Sequence, residues 1–510
     1  MSERANAIVN KKWFRAYWAL FLLLCILLIE SLFKSGVALG TVIWFVLAQT
    51  AAISFAKYST GRINKKALLL CVPIGLINAG HLLFYSTSVQ IITWPAALVL
   101  FALQLTYLSR PEKEKISEWF DFRNTVDFLN TVFANAFVYI SYPFKGLFNF
   151  TKEKNKSVVR QVFIGILIAI PIVGIFIVLF ARADQSFTKM LGNFSEGLFS
   201  NFGVLIVDLI IGAILCIFVS AAFVGANARE STTEPSQKEI KEVNNITLST
   251  ILIMVSIIIT SYVVLQLNHW FGNVPKNYYQ MDEFSKSART GFFELVVASC
   301  FLLTLIAVVT KISTKRDQRI VPLIKAPLIL LCACNLIVLY SAVEKMVIYV
   351  GRSGITSKRI LVLWFAIIIA ACTAGVFIKI IRYSFKLFTF CSLAVIALVC
   401  VLSFCNMDYY VAKNHIYLAE HHQIQNLEED VLSVLSYAAA EPIAEYKNRI
   451  KNGTSANQTT KKQSQKEVLK ILEQELVRHQ KNVNRLSKNN PVMGFNFSRL
   501  RAQNAISSFE

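Results

Sequence analysis

An all-α, polytopic integral membrane protein with about eleven transmembrane helices and a small helical C-terminal tail is the fold class this sequence predicts. Three observations carry the prediction. Eleven stretches are long and apolar enough to cross a bilayer. The chain is 55% hydrophobic with a mean hydropathy of +0.52 over 510 residues. Nearly all its basic residues lie outside the apolar stretches. A water-soluble globule has no place to hide that much apolar surface, whereas a helix of about 20 apolar residues covers a hydrocarbon core of ~30 Å.

The candidate spans are Trp13–Leu32, Val37–Ala56, Ala67–Phe84, Ile91–Leu108, Val162–Phe180, Phe202–Val224, Ile246–Leu267, Phe292–Thr310, Leu323–Val343, Ile360–Ile380 and Leu387–Phe404. None alternates with the period of a barrel strand, so only a helix satisfies their backbone polar groups in lipid. The organisation reads as a four-helix membrane segment (1–108), an amphipathic inner-surface linker (109–160), a seven-helix membrane segment (161–405) and a polar helical tail (406–510). Thr131–Phe150 holds one lysine, Pro143 and many aromatics, and is expected to lie in the interface rather than span. In the tail, residues 426–447 read as a helix interrupted at Pro442. Residues 452–465 read as a linker. Leu469, Leu472, Leu476, Val483 and Leu486 fall near helical spacing in a second helix.

The formal charge of +21 would suggest nucleic acid on a soluble protein. Here the charges border apolar spans, so orientation in a membrane explains them and no nucleic-acid partner is expected. With the N-terminus in the cytoplasm, inner segments hold 28 of the 52 basic residues, outer loops 10, and the tail 14. An odd number of spans then places the tail outside. The ten cysteines fall in or at the ends of spans without zinc-ligand spacing, and act as small apolar residues. No cofactor or metal is expected. The first helix lacks a small-residue cleavage site and reads as an uncleaved span.

Polar groups inside spans are costly. Asp208 lies about 9 Å into its span at 1.5 Å per residue. Asn78, His81, Gln104, Gln266 and Asn335 are uncharged, and those deep in a span fit interhelical hydrogen bonding worth roughly 0.6 kcal/mol each. Gln104 and Gln266, near span ends, are expected to reach water. Under this topology the outer ends and loops hold Arg182, Asp184, Asp282, Glu283, Arg289, Glu294, Glu344, Arg352, Arg359 and Asp408, with Asp208 and His269 in the same half. Two readings follow: ordinary boundary salt bridges, or one outward-opening polar pocket. The sequence holds no nucleotide-binding loop, no nucleophile elbow and no zinc-protease motif.

Several segments resemble a known family. They are GILIAIPIVGIFIVLFARADQSF at 165–187, LQLNHWFG at 265–272, SARTGFFEL at 287–295, KMVIYVGRSGITSKRI at 345–360, NMDYYVAKNHI at 406–416 and FNFSRLRAQNA at 495–505. The chain resembles an uncharacterised bacterial polytopic membrane protein family, domain of unknown function four-one-seven-three, akin to four-one-five-three. The likeness spans about 160–505, with only general hydropathy shared before that. It implies a fold type and a bacterial cytoplasmic membrane, but no activity. It marks Asp184, Arg289, Glu294, Arg359, Asn406 and Asp408.

Three functional classes fit. A transporter, with Pro171, Gly174 and Pro322 breaking helices, predicts a hydrated cavity at Asp208. A scaffold or sensor predicts paired charges, no pocket, and a binding surface on the outer loops and tail. An enzyme acting on a lipid-linked substrate predicts a lateral groove with an acid and a base. The partners expected are the lipid bilayer and a small solute or protein.

Overall fold

The computed structural model describes residues 12–29, 31, 36–108, 252–257, 259–260, 263–264, 292, 295–310, 322–421, 427, 429–452, 465–489 and 492–507. Every regular element among the described residues is helical. The membrane part comprises α1 (Lys12–Ile29), α2 (Leu39–Thr60), a 3₁₀ turn (Lys65–Leu70) running into α3 (Cys71–Leu83), α4 (Thr87–Leu108), α5 (Leu295–Thr310), α6 (Pro322–Ser353), α7 (Ser357–Ile381) and α8 (Leu387–Ser403). Among the described residues five helices are long and apolar enough to cross a membrane, or six if α8 is joined to the helix after it. The expected spans Val162–Phe180 and Phe202–Val224, and the interfacial segment Thr131–Phe150, lie outside the described residues. So do Asp184, Asp208, Arg289, Glu294 and Gln266.

The exposed faces of these helices carry large apolar side chains. Ile91 is 70% exposed and Phe301 74%. In water such faces would aggregate; against lipid tails they cost nothing. Packing therefore holds the bundle together, not the exclusion of water. An aromatic cluster of Tyr17, Phe21, Trp44, Phe45, Phe55 and Phe101 joins α1, α2 and α4. The Trp44 indole donates across to the Leu24 carbonyl at 2.7 Å. The last membrane helix, α8, joins this same core through Val399 and Cys400.

Gly80 is what lets α3 and α8 cross so closely. A Cβ there would collide with the Ser403 carbonyl oxygen. Gly80→Ala should therefore push the two helices apart and cost about 1–3 kcal/mol. A thermal melt of the detergent-solubilised protein would register the loss.

The structure corrects several expectations. α6 does not stop near Val343; its 32 residues reach about 48 Å, so its last turns project beyond the hydrocarbon. The loop expected over 345–359 shrinks to Gly354–Thr356. Pro322 opens α6 instead of breaking it, and the proline inside is Pro327. A proline at a helix start costs no hydrogen bond. Gln104 is fully buried, not wet. Its amide donates to the Cys71 sulfur at 2.9 Å and its oxygen accepts from Gln49 at 3.4 Å. Asn335 does bond between helices, to Thr373 at 3.0 Å, and His81 pairs with Thr93 at 2.7 Å. Asn78 instead satisfies its amide within α3, on the Ile74 carbonyl.

The tail comprises α9 (Met407–Glu420), α10 (Glu429–Ser433), a 3₁₀ turn (Tyr437–Ala439), α11 (Ala440–Lys451), α12 (Gln465–Asn489) and α13 (Phe497–Ser507). α9 turns 61° away from α8. Its Val411, Ala412, Ile416 and Ala419 are buried among tail helices, so it is the first tail helix, not the second half of a broken span. Residues 426–447 are not one helix. Pro442 sits in the first turn of α11, where no intrahelical N–H is needed. On α12, Leu472, Leu476 and Val483 of the expected stripe are buried and Leu469 and Leu486 partly buried, while Val468, outside the expected set, is buried with them. Of the linker expected over 452–465, residues 453–464 lie outside the described residues, and Gln465 already opens α12.

That stripe also buries Glu475 and His479. Arg478 pairs with Glu475 at 2.7 Å and donates to the carbonyls of Leu432 and Leu435, closing the end of α10. Burial, helped by the Arg478 charge, pushes the His479 imidazole down to about 3. The unfolded imidazole takes its proton near 6.5. Between those values the unfolded chain holds more protons, so stability is complete above about 6.5 and falls as pH drops. The expected slope approaches 1.4 kcal/mol per pH unit. Melting curves at pH 7.5 and pH 5 should separate for the parent protein and converge for His479→Gln.

Candidate functional site

The N-terminus of a helix leaves its first N–H groups without partners. In α2 the cap residue Ala38 offers no side-chain acceptor. The tail supplies acceptors instead. The Leu39 and Gly40 amides donate to the carbonyls of Phe495 and Met493 at 3.0 and 2.8 Å. Thus the segment leading into α13 caps a membrane helix more than 450 residues earlier in the chain. The α3–α4 turn is tied in the same way. The Tyr85 amide donates to Ser498 Oγ at 3.1 Å, and the Ser436 hydroxyl donates to the Tyr85 carbonyl at 3.0 Å. The Tyr85 and Tyr437 rings stack at 4.5 Å. Asn496 donates to the Tyr437 hydroxyl at 2.8 Å and accepts from the Arg499 amide at 2.7 Å, so it also caps α13. Burial raises both phenols above their usual value; for Tyr85 the Asp408 charge adds to the rise, and for Tyr437 its neighbour Tyr85 does.

Asp408 is at the centre. It is 3% exposed and stands in the first turn of α9, where the helix dipole favours a carboxylate. Its Oδ1 accepts from the Ser86 hydroxyl at 3.0 Å and the Ser357 hydroxyl at 3.4 Å. Its Oδ2 accepts from the Ser436 amide at 3.1 Å. One side chain thereby joins the α3–α4 turn, the start of α7, the start of α9 and the turn before α11.

Arg359 and Asn406 lie on the same elements. The Arg359 guanidinium donates to the Gly354 carbonyl and covers the Tyr349 ring at 4.2 Å, closing the α6–α7 loop. Thr356 caps α7 by accepting from the Arg359 amide. Asn406 precedes α9, and its Oδ1 is buried without a hydrogen-bond partner among the described residues. Gly354 takes φ +71° and lies against His415, whose Nε2 bonds the Ile355 carbonyl at 2.8 Å. Asn414 accepts from the Ile355 amide at 3.0 Å. Of the seven residues singled out from sequence, the structure thus places Arg359, Asn406 and Asp408 at one bundle–tail junction. Ser86, Ser357, Ser436, Tyr85, Tyr437 and Ser498 complete it. As isolated serines and tyrosines they carry no signal; only Asn496, just before a helix, shows a readable capping pattern.

The opposite end of the bundle differs in charge. The Asn64 amide donates to the Leu108 carbonyl. Phe388 packs against the cluster that holds Ala67 and Leu108, and Leu387 against the one that holds Ile324 and Ile380. These contacts gather Lys57, Arg62, Lys65, Lys66, Lys325, Lys379, Arg382 and Lys386 at one face, with no acid among the described residues of those turns. The span-end turns beside the tail hold Arg352, Lys358 and Arg359.

A family model described as Domain of unknown function (DUF4153) matches residues 67–446, well over half of the chain. The chain belongs to the DUF4153 family. The sequence itself resembles four-one-seven-three, with this family as its kin, over about 160–505. The DUF4153 match starts earlier, at the 3₁₀ turn that leads into α3, and ends inside α11. It encloses the Asp408 junction on its bundle side and reaches into the tail, so the first tail helices belong to the family's unit. No curated protein and no solved structure matches the chain.

Proposed function

We propose that this protein is a membrane scaffold or sensor of a bacterial cytoplasmic membrane, with eleven spans, a cytoplasmic N-terminus and an extracytoplasmic tail. The observation that carries this reading is Asp408. Its oxygens are taken by donors from three other segments, which is how a tie between moving parts is built and not how a solute ligand is left open. The tail and the span ends therefore shift together. The charge at the two faces supports the orientation, because the face whose described turns hold bases and no acid is the one the positive-inside rule puts in the cytoplasm. Parity supports the count. Leu108 and Pro322 both end at the basic face, so an even number of crossings connects them; four fit and five do not.

In this reading the partner contacts the tail. An open cleft of about 420 Å³ between α11 and α13, lined by Glu441, Glu445, Asn448, Arg501 and Asn504, provides a polar surface for a protein or small solute. Hydrogen exchange on Asp408→Asn tests the coupling. Faster exchange is expected both at Gly354–Ser357 and at Tyr437–Ala439. A change confined to α9 would remove the reading.

A transporter-like role draws on a separate observation. Asn78 Oδ1 and His81 Nδ1, on the buried face of α3, have no hydrogen-bond partner among the described residues. Labelling of Asn78→Cys by a water-soluble maleimide in the intact protein separates the two roles. The scaffold reading expects no reaction.

A further inference from the structure

α13 is apolar on two sides. Ala502 and Ile506 pack into the tail core. Phe497 and Leu500, on the opposite side and one turn apart, are exposed, as is Val492 just before the helix. Asn504 and Ser507 continue the exposed side and are polar. The free face therefore turns from apolar to polar along the helix. The spans fix the level of its apolar half. α2 and α4 hold 22 residues each, about 33 Å, just enough for a ~30 Å hydrocarbon core. Their tail-side ends, Leu39 and Thr87, mark the edge of the hydrocarbon. The start of α13 is bonded beside both. Met493 and Phe495 cap α2. Ser498 donates to the Leu83 carbonyl at 3.3 Å and accepts from the Tyr85 amide, in the turn before α4. Ile91 and Ile92, in the second turn of α4, are exposed to lipid, so the apolar surface continues from the span to the tail. Arg501 completes the face. Its guanidinium lies 5.8 Å above the Phe84 ring, and no carboxylate pairs with it among the described residues. A guanidinium stacked on a ring keeps its N–H edge for a phosphate.

We propose that Val492, Phe497, Leu500 and Arg501 form a phospholipid contact on the tail side of the membrane. The three apolar side chains enter the boundary between headgroups and acyl chains, and the Arg501 guanidinium pairs with a lipid phosphate. Exposed apolar side chains gathered beside a span end are thereby covered. The same segment caps α2 and ties the α3–α4 turn, so the lipid surface holds the bundle–tail junction from outside. The proposal needs only that the bundle lies in a bilayer. It depends neither on the scaffold or sensor reading nor on which leaflet the tail faces.

The test places the photoreactive p-benzoylphenylalanine at Phe497, Leu500 or Ser507 of the full chain, one position at a time. All three side chains are exposed, so the fold should tolerate the change. The proteins are reconstituted in vesicles of phosphatidylethanolamine and phosphatidylglycerol and illuminated, and their digests are analysed by mass spectrometry. Positions 497 and 500 should give peptides heavier by one phospholipid, and position 507 should not. Arg501→Gln should reduce the phospholipid adduct at position 500. The proposal is overturned if no phospholipid adduct forms at 497 and 500, or if all three positions give it equally. Crosslinks at 497 and 500 to a second copy of the chain in place of lipid overturn it too. An undiminished adduct in Arg501→Gln overturns the phosphate pairing.

Discussion

Asp408→Ala should release the tail from the bundle. The substitution leaves the Ser436 amide and the hydroxyls of Ser86 and Ser357 without their shared acceptor in a site closed to water. Hydrogen bonds to a charged group are worth about 1.5–3 kcal/mol, and an unpaired buried donor pays its full desolvation cost. The hydroxyls can turn toward other acceptors, but the amide cannot. The expected destabilisation is about 3–5 kcal/mol, as for other buried charges stripped of partners or partners stripped of charges. Asp408→Asn retains one acceptor oxygen and puts an amide donor where the other stood, so its loss should be intermediate. Limited proteolysis in detergent should read this order directly, with cleavage in the α9–α11 region fastest for alanine, slower for asparagine and slowest for the parent. Equal rates for all three would mean that the tail is held by its apolar contacts alone.

Gly354→Val should be comparably damaging by a different route. At φ +71° a β-branched residue pays about 1–3 kcal/mol in backbone strain. A Cβ would also lie 2.6 Å from the His415 ring, which already bonds the Ile355 carbonyl. Overpacking of this kind adds about 1–3 kcal/mol. Because His415 is fixed on α9 and the strain sits in the α6–α7 loop, the damage falls between bundle and tail. The melting temperature should drop, and His415→Ala combined with Gly354→Val should recover the part due to the clash but not the part due to strain. A double variant no more stable than Gly354→Val alone would show that the ring is not what the Cβ meets.

Much of the membrane part was legible in the sequence, because lipid reads hydropathy directly. The expected span Leu387–Phe404 meets a helix over Leu387–Ser403, and Val37–Ala56 meets one over Leu39–Thr60. Hydropathy failed where a helix continues past the hydrocarbon. α6 runs ten residues beyond Val343 because its exposed end is held by the loop and tail, which composition does not record. The tail shows the same limit. Its apolar stripe from Leu469 to Leu486 is periodic and was visible, but α9 to α11 are short pieces whose boundaries are set by long-range contacts.

The junction was only partly legible for the same reason. Asp408 stood out as an acid at a span end, and Arg359 as a base at the end of the outer loop expected over 345–359. Their partners did not. Ser86 and Asp408 are 322 positions apart, and Ser498 reaches Tyr85 across 413. Nothing local distinguishes those serines from others in turns. Asp184, Asp208, Arg289 and Glu294 remain an expectation of the sequence, since they fall outside the described residues.

The account rests on a tail that packs on the side of the membrane opposite the acid-free basic turns. Single cysteines placed at Val434 and at Lys65, both exposed, in a chain whose native cysteines are alanine, measure this directly. In intact spheroplasts an impermeant maleimide should label Val434→Cys at once and Lys65→Cys only after the membrane is opened. Labelling of both before permeabilisation, or of Lys65→Cys alone, would contradict the account.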